Sequence, residues 1–154
     1  MEMTKPTKGH QKLDKLVGAW KGKEKMHPSP WDPKGGTADA SIENRKALDG
    51  LIVIHDYEQR RDGKVSFQGH GVFSFDAERE IYSMHWFDSM GMPANEFRGK
   101  LEGDVLTLTN QTPQGQSRAV YDLSGKDAYK FKMDVSQDGK QWKTFMEGSY
   151  TKTR

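Results

Sequence analysis

Turn signals that contain glycine recur at intervals of roughly ten to fifteen residues between Gly35 and Gly139, and segments of β-type composition fill the intervals. Three of these signals are Asp-Gly pairs, the dipeptide favoured in two-residue type I′ hairpin turns: Asp49-Gly50, Asp62-Gly63 and Asp138-Gly139. Intervals this short leave no room for the crossover helices that parallel strands require. The chain therefore predicts an antiparallel, up-and-down arrangement of strands.

One short helix and ten strands account for the pattern. Residues Lys8 to Val17 are expected to form one or two helical turns, with Thr7 as the N-cap. The strands are predicted at 18–27, 37–48, 51–60, 64–75, 80–88, 94–101, 104–111, 116–123, 128–136 and 141–151. An antiparallel sheet of this size loses its exposed edges by closing, so we expect an all-β, up-and-down barrel.

Composition sets the class of protein. The 154 residues are enough for one domain, 1–154, in which 1–8 are expected to be a disordered tail. The 24 basic and 22 acidic residues are mixed along the chain, so no nucleic-acid partner is expected. The lack of cysteine excludes disulfides and thiolate sites, and no apolar run reaches membrane-spanning length. We therefore expect a cytoplasmic protein without a membrane partner.

Tight turns would bring three of the five histidines into one row across three strands. A two-residue turn at Asp62-Gly63 places His55 opposite His70. A tight turn around 76–79 then places His70 opposite His85. A single β-bulge in either hairpin would break this row.

The histidine row has a possible chemistry. The same register places Glu96 beside the last histidine, and three imidazoles with a carboxylate suit zinc or iron. The alternative is a row of polar or partly exposed imidazoles without a metal. The candidate metal ligands are His55, His70 and His85.

The Asp138-Gly139 turn predicts the register of the last two strands. On the apolar side it pairs Val135 with Trp142, Met133 with Thr144 and Phe131 with Met146. On the other side it pairs Lys130 with Glu147 and Asp134 with Lys143, as expected for an exposed sheet face.

Hydrophobicity indicates which face of the sheet lies inside. The face opposite the histidine row is rich in aromatic and aliphatic residues: Ile52, Ile54, Phe67, Phe73, Phe75, Tyr82, Met84, Trp86, Phe97, Leu106, Leu108, Tyr121 and Leu123. Burial favours this face as the interior, which places the histidines outside. Counting alternation back from the last hairpin gives the opposite result, with the histidines inside.

An aromatic interior is typical of a barrel that holds a small ligand. Alternation in the first strand points Trp20 and Glu24 inward, and Trp20 with the N-terminal segment is expected to seal one end. Glu24 suits ligand recognition or acid–base chemistry if it is buried, or is simply a carboxylate near water at the barrel end. The irregular stretch His27–Gly36, which carries Trp31, is either a lid or a long connection. The candidate ligand-binding residues are Trp20, Glu24, Phe73, Tyr82, Trp86, Phe97, Tyr121 and Trp142.

Motifs spread over nearly the whole chain form a specific combination. They are His10-x-x-Leu13-x-x-Leu16-Val17-Gly18-x-Trp20, Leu48-Asp49-Gly50, Gly69-x-Gly71-Val72, Tyr82-x-x-x-Trp86-Phe87-Asp88-Ser89, and Gly148-Ser149-Tyr150 with Arg154. The Gly-x-Trp element resembles the opening of lipocalin-like (calycin) barrels, and the combination resembles the bacterial family called domain of unknown function 1579. This resemblance implies a closed barrel like those of lipocalins and fatty-acid-binding proteins, without an established activity. The nitrobindins, a related haem-binding group, use a late histidine, and this chain has none after His85.

Three functions remain open from the sequence. The first is a binding protein for a small, mostly apolar molecule in the lumen. The second is a metal-dependent enzyme or metal-binding protein built on the histidine row, although no catalytic residues are assigned and a non-enzymatic role is favoured. The third is an oligomerisation module without a ligand. No cofactor is assigned. A homodimer that weakens below about pH 6.5 is expected through the outer face around the histidines, with Val53, Tyr57, Val72 and Phe87.

Overall fold

The protein, described by a computed structural model over residues 1–154, is a closed barrel of ten antiparallel strands. Neighbouring strands follow chain order, and the first strand pairs with the last to close the barrel. The strands are β1 Gly18–Met26, β2 Gly36–Ala47, β3 Ile52–Arg61, β4 Lys64–Asp76, β5 Ile81–Asp88, β6 Asn95–Glu102, β7 Val105–Thr112, β8 Gly115–Asp122, β9 Ala128–Ser136 and β10 Lys143–Lys152. The predicted barrel is confirmed, and the predicted strand ends lie within two residues of those observed.

The N-terminal segment closes one end of the barrel. Helix α1 covers Lys8–Gln11 and continues into a 3₁₀ segment, Lys12–Leu16. Leu13 and Leu16 are fully buried, and the indole Nε1 of Trp20 donates to the Leu16 carbonyl at 2.8 Å. The predicted helix and the predicted position of Trp20 are thus confirmed. Lys8, the last residue of the predicted disordered tail, belongs to α1. Residues 1–7 have no regular secondary structure, and their disorder stays a prediction.

Alternation of side chains explains the walls of the barrel. In β1 the residues Trp20, Glu24 and Met26 are buried, whereas the intervening lysines are exposed. In β2 small residues, Ala38 and Ala40, occupy the inward positions and leave room for the longer side chains opposite.

No helix of the protein is both long enough and apolar enough to cross a membrane.

A β-bulge in the β3–β4 hairpin separates the histidines. Asp62 and Gly63 both have positive φ, as a type I′ turn requires, and Arg61 pairs with Lys64. The register then shifts by one residue, because Ser66 is inserted on β4 and donates a hydrogen bond to the Gln59 carbonyl at 3.2 Å. Beyond this bulge, the pairing differs from the prediction: His55 pairs with Gly71, and His70 pairs with Asp56.

The next turn is longer than predicted. Its four residues follow Asp76, whose carboxylate accepts the backbone N–H groups of Glu78 and Arg79. His85 consequently pairs with Val72 rather than with His70, while the predicted pairing of His85 with Glu96 is confirmed. The predicted row of His55, His70 and His85 is therefore wrong: His55 points inward, and His70 and His85 point outward.

The register predicted for the last hairpin is also wrong. The carboxylate of Asp138 accepts the backbone N–H groups of Lys140 and Gln141, which builds a longer loop than the predicted two-residue turn. A second irregularity follows between Thr144 and Met146. The observed pairs that replace the predicted ones are Val135–Lys143, Asp134–Thr144, Met133–Met146, Phe131–Gly148 and Lys130–Ser149.

The aromatic face lies inside from β4 onward, as hydrophobicity predicted. Phe73, Met84 and Leu108, for example, are buried in the core. On β3 the prediction is wrong, because the one-residue shift at the bulge exchanges the inward and outward positions of β3 relative to those of β4. Val53 and Tyr57, two of the four apolar residues of the predicted dimer face, consequently lie inside the barrel.

Candidate functional site: a barrel cavity with a polar wall

The N-terminal segment Lys8–Leu16, which closes one end of the barrel, is called the N-terminal plug below. A cavity of about 330 Å³ lies between this plug and the opposite end of the barrel. Its volume is within the range of small-molecule sites. Aromatic residues are the largest group in its wall: Trp31, Tyr57, Phe67, Trp86, Phe97, Tyr121, Tyr129, Phe131, Phe145 and Tyr150. Four methionines, whose unbranched side chains adapt to irregular shapes, also line it: Met26, Met84, Met133 and Met146.

The structure divides the predicted ligand-binding residues into three groups. Trp86, Phe97 and Tyr121 line the cavity. Trp20, Phe73 and Tyr82 are buried in the core and do not line it. Trp142 lies outside the barrel, where the Arg118 guanidinium stacks 4.2 Å from its ring centroid. Trp142 was expected inside because the assumed turn at Asp138-Gly139 gave β10 the wrong alternation.

The eighth predicted residue, Glu24, is a buried carboxylate behind the cavity wall. It is 1% exposed, and its two oxygens accept hydrogen bonds from three side chains that line the cavity. The Tyr57 hydroxyl donates to Oε1 at 2.5 Å, Gln59 Nε2 donates to the same oxygen at 2.9 Å, and the Tyr150 hydroxyl donates to Oε2 at 2.6 Å. This arrangement compensates the burial of a charged group with strong, charge-assisted hydrogen bonds.

The two phenols act as fixed hydrogen-bond donors. Burial raises the pKa of Tyr57 far above its ordinary value, and the neighbouring Glu24 carboxylate raises it further. The same two causes, in the same order, raise the pKa of Tyr150. Both hydroxyls therefore keep their protons at physiological pH, so each acts as the donor and Glu24 as the acceptor.

A chain of hydrogen bonds from the N-terminal plug orients His55. Asn44 Nδ2 donates to the Leu16 carbonyl at 2.8 Å, which leaves Asn44 Oδ1 as an acceptor 2.7 Å from His55 Nδ1. The His55 proton is accordingly assigned to Nδ1. The other ring nitrogen, Nε2, has no hydrogen-bond partner within the protein, and His55 lines the cavity.

His55 is uncharged at neutral pH. Burial lowers its pKa from 6.5 to about 4, against a smaller opposing effect of Asp56. Its ring is surrounded by Phe73, Trp86 and Tyr57, with centroid distances of 5.8, 5.9 and 6.2 Å. The cavity thus contains a neutral imidazole whose Nε2 lone pair is available as a hydrogen-bond acceptor.

Glycines on β4 make space for two of the cavity side chains. A Cβ atom at Gly69 would lie 2.1 Å from Cη2 of Trp86, and one at Gly71 would lie 2.4 Å from Sδ of Met84. The Trp86 indole is also fixed by its Nε1, which donates to Asp88 Oδ2 at 2.9 Å. The absence of side chains at these two positions therefore determines where the cavity wall lies.

The loop 27–35 lies over the open end of the cavity. Trp31 stacks near Phe145 at a centroid distance of 5.6 Å, although its side chain remains largely exposed. Arg61 Nη2, at the end of β3, donates to Asp32 Oδ2 at 2.8 Å and ties the loop to the barrel. The loop therefore covers part of the cavity opening, and its action as a lid stays a prediction.

The polar groups on the outside do not form a metal site. His70 Nδ1 lies 2.6 Å from Asp56 Oδ1, and His85 Nε2 lies 3.6 Å from Glu96 Oε1. Across residues 1–154, no three His, Cys, Asp or Glu side chains are arranged to hold a metal ion. With His55 inside the barrel, the metal hypothesis loses its geometric basis.

A family model described as "protein of unknown function (DUF1579)" matches residues 5–152. The chain belongs to this family. The match confirms the resemblance carried by the motifs in the sequence. No curated protein matches the chain.

Two solved structures are similar to this DUF1579 protein in fold. The crystal structure of Rv2717c from M. tuberculosis has a TM-score of 0.74 and 15% identity, and the match covers 96% of this chain and 99% of that chain. The S-type phycobiliprotein lyase CPES from Guillardia theta has a TM-score of 0.64 and 12% identity, over 94% of this chain and 92% of that chain. At these identities the likeness concerns the barrel fold alone.

Sequence reasoning missed several polar residues of the DUF1579 protein's cavity. Nothing in the sequence marks Asn44 as an interior residue, because an asparagine in an alternating strand is equally compatible with a position facing water and with one facing the interior. Tyr57 and Gln59 share the alternation of His55 and were placed outside with it. Tyr150 was noticed only as part of a motif, and its contact with Glu24 depends on β1–β10 pairing across the whole chain.

Proposed function

We propose that this protein binds one small, mostly apolar molecule in the barrel cavity. The observation that carries the proposal is the cavity itself, about 330 Å³ in volume and lined mainly by aromatic and methionine side chains. Burial of an apolar molecule against such a wall releases water from both surfaces, which is the main driving force for binding of this kind.

The flexible and rigid parts of the wall support the same function. The methionines can adjust to a ligand's shape, whereas the hydrogen-bonded Glu24 and His55 clusters hold the polar part of the wall in place. The loop 27–35, tied down by the Arg61–Asp32 pair, would act as the gate for entry. The likeness to a phycobiliprotein lyase is one of fold, and the proposal rests on the cavity.

A pair of neighbouring substitutions on β8 tests the proposal. Ala119 is buried against the cavity, while the next residue, Val120, faces outward, so phenylalanine at each position adds similar volume on opposite sides of the wall. Naphthalene binding is measured by equilibrium dialysis for the wild type, Ala119→Phe and Val120→Phe. We expect Ala119→Phe to weaken binding at least tenfold and Val120→Phe to leave it unchanged. Equal affinities in all three proteins, or no binding to the wild type, would contradict the proposal.

We also propose that the protein forms a homodimer through the outer face of β3, β4 and β5. Ile54 and Val72 pair on this face, and Phe87 is 52% exposed beside them. Two-fold dimers are the commonest oligomers, and an apolar sheet face is a typical contact. Sedimentation at neutral pH is expected to give a dimer that Phe87→Lys disrupts and Val105→Lys, on another face, does not. A wild-type monomer at high concentration would contradict the dimer.

A further inference from the structure

The cavity wall contains a strong hydrogen-bond acceptor that the protein leaves unused. His55 lines the cavity and is 6% exposed, its Nδ1–H is engaged by Asn44, and its Nε2 makes no hydrogen bond within the protein. From this geometry, and resting on the proposed function, we infer that the ligand is an uncharged, largely apolar molecule that carries an O–H or N–H donor for His55 Nε2.

The energetics of buried polar groups favour such a donor. An acceptor that is removed from water without a new partner costs free energy, so a purely apolar ligand over Nε2 would be penalised. A ligand hydroxyl at this atom replaces the lost water contact. Because Asn44 fixes the ring through the Leu16 carbonyl, the acceptor is already oriented before the ligand binds.

The charges around the cavity select against an anion. The cation that lines the cavity, Arg61, is already paired with Asp32 at 2.8 Å. Glu24 places a carboxylate directly behind the wall, and Asp88 is a second carboxylate at the cavity. A carboxylate ligand would therefore meet two negative groups and an imidazole lone pair, with no free positive charge to balance it.

A cation is also disfavoured. The carboxylate oxygens of Glu24 already accept three hydrogen bonds from Tyr57, Gln59 and Tyr150. The Asp88 carboxylate likewise already accepts hydrogen bonds from Trp86 Nε1 and from the Met90 backbone N–H, both at 2.9 Å. An ammonium group would have to lose its water shell for acceptors that are already in use. A neutral donor on an aromatic ring carries no such cost, and the Trp86 ring beside His55 offers it an apolar contact surface.

A matched series of bicyclic probes tests the inference. Equilibrium dialysis at neutral pH gives the affinities of naphthalene, 2-naphthol, 2-methoxynaphthalene and 2-naphthoate for the wild type, His55→Leu and the surface control His85→Leu. We expect the wild type and His85→Leu to prefer 2-naphthol over 2-methoxynaphthalene by about five- to tenfold, the value of one hydrogen bond. The carboxylate is expected to bind most weakly. In His55→Leu the preference for 2-naphthol should disappear, while naphthalene still binds.

Each other outcome has a separate meaning. If naphthalene and 2-methoxynaphthalene bind the wild type as tightly as 2-naphthol, the inference fails and the proposed function stands. If none of the probes binds, the proposed function fails, and the inference fails with it. Tightest binding of 2-naphthoate would overturn the selection against anions. The same dialysis is made on Tyr121→Phe, because Tyr121 also lines the cavity. A preference for 2-naphthol that is lost in this variant but kept in His55→Leu would assign the acceptor to the phenol and overturn the role of His55. If His55→Leu does not fold, the wild type still shows whether the ligand needs a donor, and Tyr121→Phe shows whether the phenol accepts it.

Discussion

Single residues determine the polar character of this barrel's interior. Glu24, His55 and Asn44 are each more than nine-tenths buried, and each has identified hydrogen-bond partners on other strands or on the N-terminal plug. The stability of the protein should therefore respond to the loss of one hydroxyl according to whether that hydroxyl has a partner.

Two tyrosines provide the comparison. The Tyr150 hydroxyl donates to Glu24, whereas burial alone raises the pKa of Tyr121, whose hydroxyl has no partner within the protein. Tyr150→Phe should lower the free energy of unfolding by about 1–3 kcal/mol, because it leaves a buried carboxylate oxygen with one donor fewer. Tyr121→Phe should change it by less than about 0.5 kcal/mol. Chemical denaturation of both variants measures the difference, and equal losses would contradict the assigned role of the Tyr150 hydroxyl.

His55 should make stability depend on pH. Burial lowers its pKa from 6.5 to about 4. Between these two pH values, His55 is protonated in the unfolded chain and neutral in the folded protein, which favours unfolding. The effect of His55 on the free energy of unfolding is therefore absent above pH 6.5 and grows to a loss of about 3 kcal/mol as the pH falls to about 4. Denaturation of the wild type and His55→Leu at several pH values measures it. The variant should lose this part of the dependence, and identical pH profiles would place His55 in a solvated position.

At the level of strands and turns, the glycine spacing located the elements but not all registers. Strand ends were predictable because turn residues are chosen for backbone conformation, which is a local property. The Ser66 bulge and the Asp138 loop were not predictable, since one inserted residue leaves no mark in the sequence and reverses the alternation beyond it. The predicted inward position of Trp86, Phe97 and Tyr121 is confirmed, because no irregularity reverses the alternation of their strands. The positions predicted for His55 and Trp142 are wrong, because a bulge or a longer loop separates each of them from the strand used as the reference.

The glycines of β4 give a prediction about the cavity wall. Gly69→Ala should destabilise the protein by about 1–3 kcal/mol, because the new methyl group would displace the rigid Trp86 ring. Gly71→Ala meets the end of the flexible Met84 side chain and should cost less than about 1 kcal/mol. Denaturation with tryptophan fluorescence as the readout tests both. A larger loss of unfolding free energy in Gly71→Ala than in Gly69→Ala would show that the Trp86 ring does not depend on the missing side chain at Gly69.

The whole molecule is a barrel that is closed by its N-terminal segment at one end and covered by the loop 27–35 at the other. The N-terminal plug seals the closed end through Leu13, Leu16 and Trp20, and it also orients His55 through Asn44. The open end is covered by a loop that is held by the Arg61–Asp32 ion pair, the Trp31–Phe145 contact and a hydrogen bond from the His27 backbone N–H to the Phe145 carbonyl at 2.9 Å. In the function that we propose, the cavity wall is the rigid part, and this loop is the part that opens to admit the ligand.

Native mass spectrometry of the untagged protein as purified is the most direct test of ligand binding in the cavity. We expect a population that carries one small molecule per chain, which is released under denaturing conditions and is absent from Ala119→Phe but present in Val120→Phe. A wild-type protein that carries nothing and that also fails to take up naphthalene or 2-naphthol at saturating concentration would contradict the claim that the cavity is a binding site.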